Sequence, residues 1–312
     1  MAIQLYETRQ ILFKTETTPG TDAAPTGAAN AILSFSGQVQ VEADKLTRTP
    51  DLPYFGADPF LLVHKRATVS FEIELIGSST VGNAAPIGPV LTACGMAETL
   101  VAATSATYNP ITGPTQKTGT LYFYIGPLRY TMVYAMGNIE VNQEVKGFNR
   151  GKVSVTGVIT NTTMPTENVS SGFTVAAFQA PPAVEMENWI VTSSTVHLNT
   201  TKLNVNYNND IKIHEASELR AVQLMDRKPS GSLTYFEPTL ASFNPWALAN
   251  NYTLQNIVST VGITAGKICT LTMPTVQLEY TKLTEQDKAI LFETPMAPLP
   301  SAGNDEISIK FT

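Results

Sequence analysis

A chain of 312 residues with 43% hydrophobic side chains can bury a sizeable core, which excludes a disordered protein. Its length suits two ordinary domains or one large β domain. Only 15% of residues are charged and the formal net charge is −6, so without a basic tract the chain is a poor candidate for gripping nucleic acid through phosphates. The polar surface has to be built from Thr, Ser and Asn, which favours strands and turns over exposed helices.

The opening MAIQLYETRQILFKTETTPG lacks the charged-then-apolar layout of a secretory signal. After a short apolar patch at Ile11, Leu12 and Phe13, two prolines and two glycines between Thr17 and Gly27 forbid a regular element. Residues 1–31 therefore read as an extended N-terminal arm. From Ala31, Ile32, Leu33, Phe35, Val39 and Val41 form one or two strands, and a Pro-rich loop follows around Pro50, Pro53 and Pro59.

In KRATVSFEIEL, Lys65 to Leu75, Val69, Phe71, Ile73 and Leu75 alternate with Ser70, Glu72 and Glu74. A period of two makes one strand face apolar and the other acidic. GNIEVNQEV, Gly137 to Val145, repeats the pattern with Ile139 and Val141 against Glu140, Asn142 and Glu144. Between these two stretches, 77–88 is a loop, PVLTACGM (Pro89 to Met96) is a short helix with proline near its start and glycine near its end, and 97–118 is a loop. From Leu121 two or three strands follow, broken at Gly126-Pro127 and at Gly137, and KVSVTGVIT from Lys152 closes the set.

The Thr-, Ser- and Pro-rich stretch 160–194 carries the domain boundary, near Ala180-Pro181-Pro182, so that 32–180 and 181–312 are two domains. The second half retraces the first. Leu224–Lys228 matches Leu62–Arg66, Ser232–Glu237 matches Thr68–Glu72, and a short helix at Pro245–Ala249 matches the one at 89–96. Met273–Leu278 matches Met136–Val141, and Lys288–Phe292 matches Lys152–Val155.

No catalytic constellation is present. His64, His197 and His214 have no metal-type spacing, and Cys94 and Cys269 have no CxxC partner and read as buried free thiols. Neither a cofactor motif nor a metal motif appears, and no apolar run is long enough to cross a membrane as a helix. Glu72 and Glu74 sit about 7 Å apart on one strand face, a spacing seen in glycosidase pairs, but an open polar strand lacks the apolar pocket such an acid needs. The acidic face reads more simply as solvated. Sequons at Asn161, Asn199 and Asn251 would matter in a secreted β-sandwich adhesin, the reading that the missing signal disfavours.

Four segments resemble the tail tube (major tail) proteins of long-tailed bacteriophages: Glu16 to Ile32, Pro53 to Ser78, Gly88 to Thr99, and Ser301 to Ile309. The resemblance implies a mainly β chain of two tandem β-sandwich or barrel domains, each with one short helix, whose inner sheets join between subunits into a β-barrel ring. Rings would stack into the conduit that carries DNA from capsid to host. A duplicated chain would form a trimeric ring with pseudo-six-fold symmetry, in place of the hexameric ring of single-domain members. Its partners would be itself and the tape measure, terminator and distal tail proteins, in the virion tail and, during assembly, the host cytoplasm; double-stranded DNA would pass without specific binding. A terminator or distal tail ring is the neighbouring alternative. Glu72, Glu74, Glu140 and Glu144 are the candidates for the lumen wall. Thr17 and Pro19 on the arm, with Tyr54 and Phe55 in the loop 50–64, are the candidates for ring-to-ring contact.

Overall fold

Apolar–polar alternation punctuated by Gly, Pro and Asn yields a structure built almost wholly of antiparallel strands. The computed structural model describes residues 8–312 except 52, 114, 160–164, 168–171, 173–177, 218 and 237. The sequon at Asn161, residues 1–7 of the arm, Glu237 and part of the 160–194 stretch lie outside the described residues.

The first strand, β1 (Arg9–Thr15), takes residues that the sequence assigns to an arm. Ile11, Leu12 and Phe13 are at most 2% exposed and lie opposite Phe123, Tyr122 and Leu121. A single helical turn, α1 (Gly27–Asn30), leads to the short β2 (Ala31–Ile32), which folds back onto β1. Next, β3 (Ser34–Thr47) and β4 (Phe60–Glu74) form a long hairpin. The helix α2 (Gly88–Ala93) has Pro89 at its start, and four of its side chains or backbone positions beyond Gly88 are buried: Val90, Leu91, Thr92 and Ala93.

The stretch 97–118, read from sequence as a loop, holds a hairpin of β5 (Met96–Val101) and β6 (Ser105–Pro110). Its small and polar side chains hide the alternation, and Ala103 turns it with a positive φ of 53°. β7 (Gly119–Ile125) and β8 (Leu128–Glu144) turn at Gly126-Pro127 as expected. The predicted break at Gly137 is absent. A Cβ there would lie 3.0 Å from the Ser154 carbonyl oxygen and 3.1 Å from Cys94 Sγ, so this glycine lets α2 close onto an unbroken strand. The half ends with β9 (Gly147–Phe148), β10 (Arg150–Ile159) and β11 (Thr166–Glu167).

The second half opens with β12 (Ala183–Val184), paired with β9, then β13 (Trp189–Ser193) and β14 (Val196–Leu198). β15 (Thr200–Asn206) and β16 (Asn209–Glu215) return as β17 (Arg220–Arg227) and β18 (Ser230–Phe236). After α3 (Pro245–Asn250), capped by the Asn244 side chain, come β19 (Gln255–Val261), β20 (Cys269–Leu278), β21 (Lys282–Gln286), β22 (Ala289–Pro298) and β23 (Ser308–Phe311).

Strand neighbours in the first half run β1–β7–β8–β10–β4–β3. In the second half they run β13–β19–β20–β22–β18–β15, the same series. The pairings also correct the register between halves that the sequence suggests. Leu283 faces Phe292 as Ile139 faces Val153, so β21, not Met273–Leu278, holds the place of the Ile139 segment.

Besides the short β9–β12 pair, the halves are hydrogen-bonded to each other at two seams among the described residues. Residues 202–206 of β15 pair with 140–144 of β8, and β23 lies between β20 and β6. One sheet therefore runs β3–β4–β10–β8–β15–β18–β22–β21. Its apolar face joins one core that spans both halves and includes Phe71, Ile139, Leu203, Leu233 and Phe292. Cys94 and Cys269 are both buried and free, as the sequence suggests, and burial pushes each thiol up to about 12.

Candidate assembly surfaces

The opposite, polar face of this sheet collects all four candidate lumen residues. Glu72 and Glu140 lie on either side of Lys152, and Glu74 lies opposite Arg150, which in turn faces Asn142. Across the seam, Asn206, Asn204 and Lys202 face Glu140, Asn142 and Glu144. Ser70, Ser154, Thr68 and Thr156 extend the same face along β4 and β10.

Read one strand at a time, residues 68–76 and 138–144 carry acids and no bases on this side, and the sequence reading treats the face as single-signed. The structure corrects that. β10 lies between them and brings Arg150 and Lys152 to the same face, while β15 brings Lys202. The Arg150 Nη1 donates to Glu72 Oε2 at 3.2 Å, and its guanidinium stacks 4.4 Å above the Phe35 ring. Lys202 Nζ is 4.0 Å from Glu144. Partial burial pushes the Glu74 carboxyl above its usual range, with Arg150 pulling the other way. The Glu140 carboxylate accepts from the Asn204 amide. The face is thus a hydrogen-bonded ladder of amides, hydroxyls and mixed charges, with acids outnumbering bases by four to three among these residues.

Thr17 and Pro19 are exposed, but the segment bearing them is anchored by Glu16, a buried residue that the sequence reading passed over. Its carboxylate accepts four bonds: the Gly20 N–H at 2.7 Å, the Thr118 and Thr120 hydroxyls at 2.6 and 3.1 Å, and the Tyr134 N–H at 3.0 Å. Gly20 has φ of 79°, and any Cβ on it would run into the Tyr134 ring.

Tyr54 and Phe55 lie at the far end of the β3–β4 hairpin, both exposed, beside Leu46, Phe60, Leu61 and Leu62, each at least half exposed. Phe60–His64, assigned by sequence to the loop, already belong to β4. Scattered exposed apolar side chains are ordinary; this group, gathered at one end of one hairpin, is a candidate docking surface. The hairpin is braced below its tip. Arg66 donates to Glu42 and Asp44, each at 3.0 Å, and His64 reaches Asp44 at 3.3 Å and Glu215 of β16 at 3.1 Å. The Arg66 hydrogen bond holds the Asp44 carboxyl below its usual range. The residues missed by the sequence reading, Glu16, Arg150, Lys152 and Lys202, gain their roles from strands distant in the chain.

Among the described residues no group of His, Cys, Asp and Glu could hold a metal ion, and no helix is long and apolar enough to cross a membrane. Strand-built surfaces are what the described residues offer, the make-up of a mainly β structural protein. The family model described as phage tail tube protein matches residues 7–312, and the chain belongs to that family. It is a structural protein of the virion tail. No curated protein matches the chain.

Proposed function

We propose that three copies of this chain close into a ring with pseudo-six-fold symmetry, and that the rings stack into the hollow tube through which the genome leaves the capsid. The observation that carries this reading is the strand series that occurs twice and is fused side by side into one sheet, with an edge strand that is open at each end among the described residues. The two halves act as tandem copies of one domain, divided near Ala180 after the arm. An open sheet edge must be covered, charged or paired, and closing the sheet into a ring pairs every edge. A ring built head to tail leaves two different faces, so rings stack into a filament.

In this arrangement the polar ladder carrying Glu72, Glu74, Glu140 and Glu144 faces the lumen. Its amides, hydroxyls and slight acidic excess give DNA nothing to grip, whereas a cationic wall would bind phosphates and stall transit. The β3–β4 hairpin, with Tyr54 and Phe55, and the segment bearing Thr17 and Pro19 reach the next ring. Tape measure, terminator and distal tail proteins meet the tube at its interior and ends.

Negative-stain microscopy of the purified protein tests the proposal. Long hollow tubes are the expected outcome. Single rings that never stack would move the chain to a terminator or distal ring role, and isolated monomers at high concentration would overturn the proposal.

A further inference from the structure

The sheet contains a finished joint between the two halves and two unfinished ends, and the former specifies the latter. Phe71 and Tyr235 hold equivalent places: both are buried, and they pair with Val153 of β10 and Phe292 of β22. Counting from them, Gln38–Glu42 of β3 stand opposite Ser70–Arg66 as Lys202–Asn206 of β15 stand opposite Thr234–Ser230. Likewise Leu283–Gln286 of β21 stand to β22 as Ile139–Asn142 stand to β10. At the internal seam Asn206 faces Glu140, Val205 faces Val141 and Asn204 faces Asn142.

We infer that β21 of one copy pairs antiparallel with β3 of a second copy in the register Thr284–Glu42, Glu285–Val41, Gln286–Gln40. The inference rests on the tail-tube reading and adds to it a defined edge, partner strand and register.

Three further observations support this register. First, the amide pair of the seam, Asn204 with Asn142, is replaced at the open ends by another amide pair, Gln40 with Gln286. Second, Val41 is 49% exposed and Leu283 64% exposed, while their counterparts Val205 and Ile139 are fully buried; a second copy on each edge would cover both. Third, Lys282, the first residue of β21, lies diagonally across from Glu42 in this register, an opposite-charge pair, while Glu285 of β21 faces the uncharged Val41. Among the described residues β21 pairs only with β22, and all five of its residues are exposed.

Cysteine pairs report the register directly. Residues directly opposite in an antiparallel pair have Cα atoms about 4.5–5.5 Å apart, within disulfide range, while diagonal partners about 7–8 Å apart are not. The native thiols are buried and do not compete. Gln40→Cys with Gln286→Cys, oxidised after assembly, is expected to give a ladder of covalent oligomers that ends at the ring's copy number. Gln40→Cys with Thr284→Cys is expected to stay monomeric on a denaturing gel. Cross-linking of the slipped pair, or none from the matched pair in rings visible by microscopy, would overturn the inference and leave the tail-tube reading standing. A wild-type protein that forms no rings or tubes would overturn both. Val41→Glu gives an independent check, because the side chain is half exposed in the single chain and this register sets it directly opposite Glu285, a like-charge pair. It is expected to abolish ring formation while the thermal melt matches wild type; normal rings from this variant would show that the edge is not used.

Discussion

Glu16 is the residue on which the N-terminal segment hangs. It is 7% exposed, and its four accepted hydrogen bonds tie the turn at Gly20 to β7 and β8. Hydrogen bonds to a charged group contribute about 1.5–3 kcal/mol, and donors left behind without a partner add their own desolvation cost. Glu16→Ala should therefore destabilise the chain by about 2–4 kcal/mol, read as a lower denaturant midpoint at unchanged slope. A loss under about 0.5 kcal/mol, the range of ordinary surface substitutions, would show the anchor to be unimportant. Glu74 has the opposite character. Its carboxyl is raised above the 4.5 of an ordinary glutamate, burial outweighing Arg150, so the fold holds this proton more tightly than the unfolded chain does. The associated stability is full below pH 4.5 and is lost as pH rises through the raised value. Glu74→Gln should match wild type in melts near pH 4 and melt higher at pH 7. A lower melt at pH 7 would mean that the attraction of the Arg150 charge outweighs desolvation.

At the scale of elements, the β3–β4 hairpin presents the largest run of exposed apolar side chains, and its bracing by Arg66 and His64 sits well below the tip. Substituting Tyr54 and Phe55 together with Ser removes exposed surface without touching the core. Rings should form with unchanged melting temperature and fail to lengthen into tubes, as seen by microscopy or sedimentation; full-length tubes would remove the hairpin from the stacking contact. Deleting the first 28 residues is the poorer test of stacking, because it takes away β1 and its buried Ile11, Leu12 and Phe13 along with Thr17 and Pro19. The contrast shows which elements are legible in sequence. β4 and β10 announce themselves by clean alternation, and α2 and α3 by proline at the start. β1 is hidden by its Pro- and Gly-rich continuation, and the β5–β6 hairpin by its small side chains. The charge of the polar face was beyond reach for a different reason. Glu72 and Glu140 are 68 positions apart, and only the placement of β10 between them sets Lys152 beside both. Periodicity reports which way a side chain points; it does not report which strand lies next to it.

For the whole molecule, strand number would set the bore of the proposed ring. The continuous sheet contributes eight strands per chain, so three chains give twenty-four. At ~4.8 Å between strands and a tilt of ~40°, such a barrel is roughly 45–50 Å across its backbone, and side chains reduce the bore to ~35–40 Å. Two chains would leave only ~20 Å by the same estimate, too little for a hydrated duplex, which favours the three-chain ring. Within such a bore the balance of four acids against Arg150, Lys152 and Lys202 matters, because the wall is close to neutral and tips to either sign with few changes. Changing Glu72, Glu74, Glu140 and Glu144 together to Lys turns this patch into seven bases repeated around the ring. The half-exposed positions should tolerate lysine well enough for tubes to assemble, and particles carrying them should release DNA more slowly, followed as dye fluorescence after triggering. Phosphate binding weakens steeply with salt, so the delay should shrink as ionic strength rises. Normal release at low salt from fully assembled particles would place this face outside the lumen. A delay indifferent to salt would trace the defect to a distorted wall rather than to its charge.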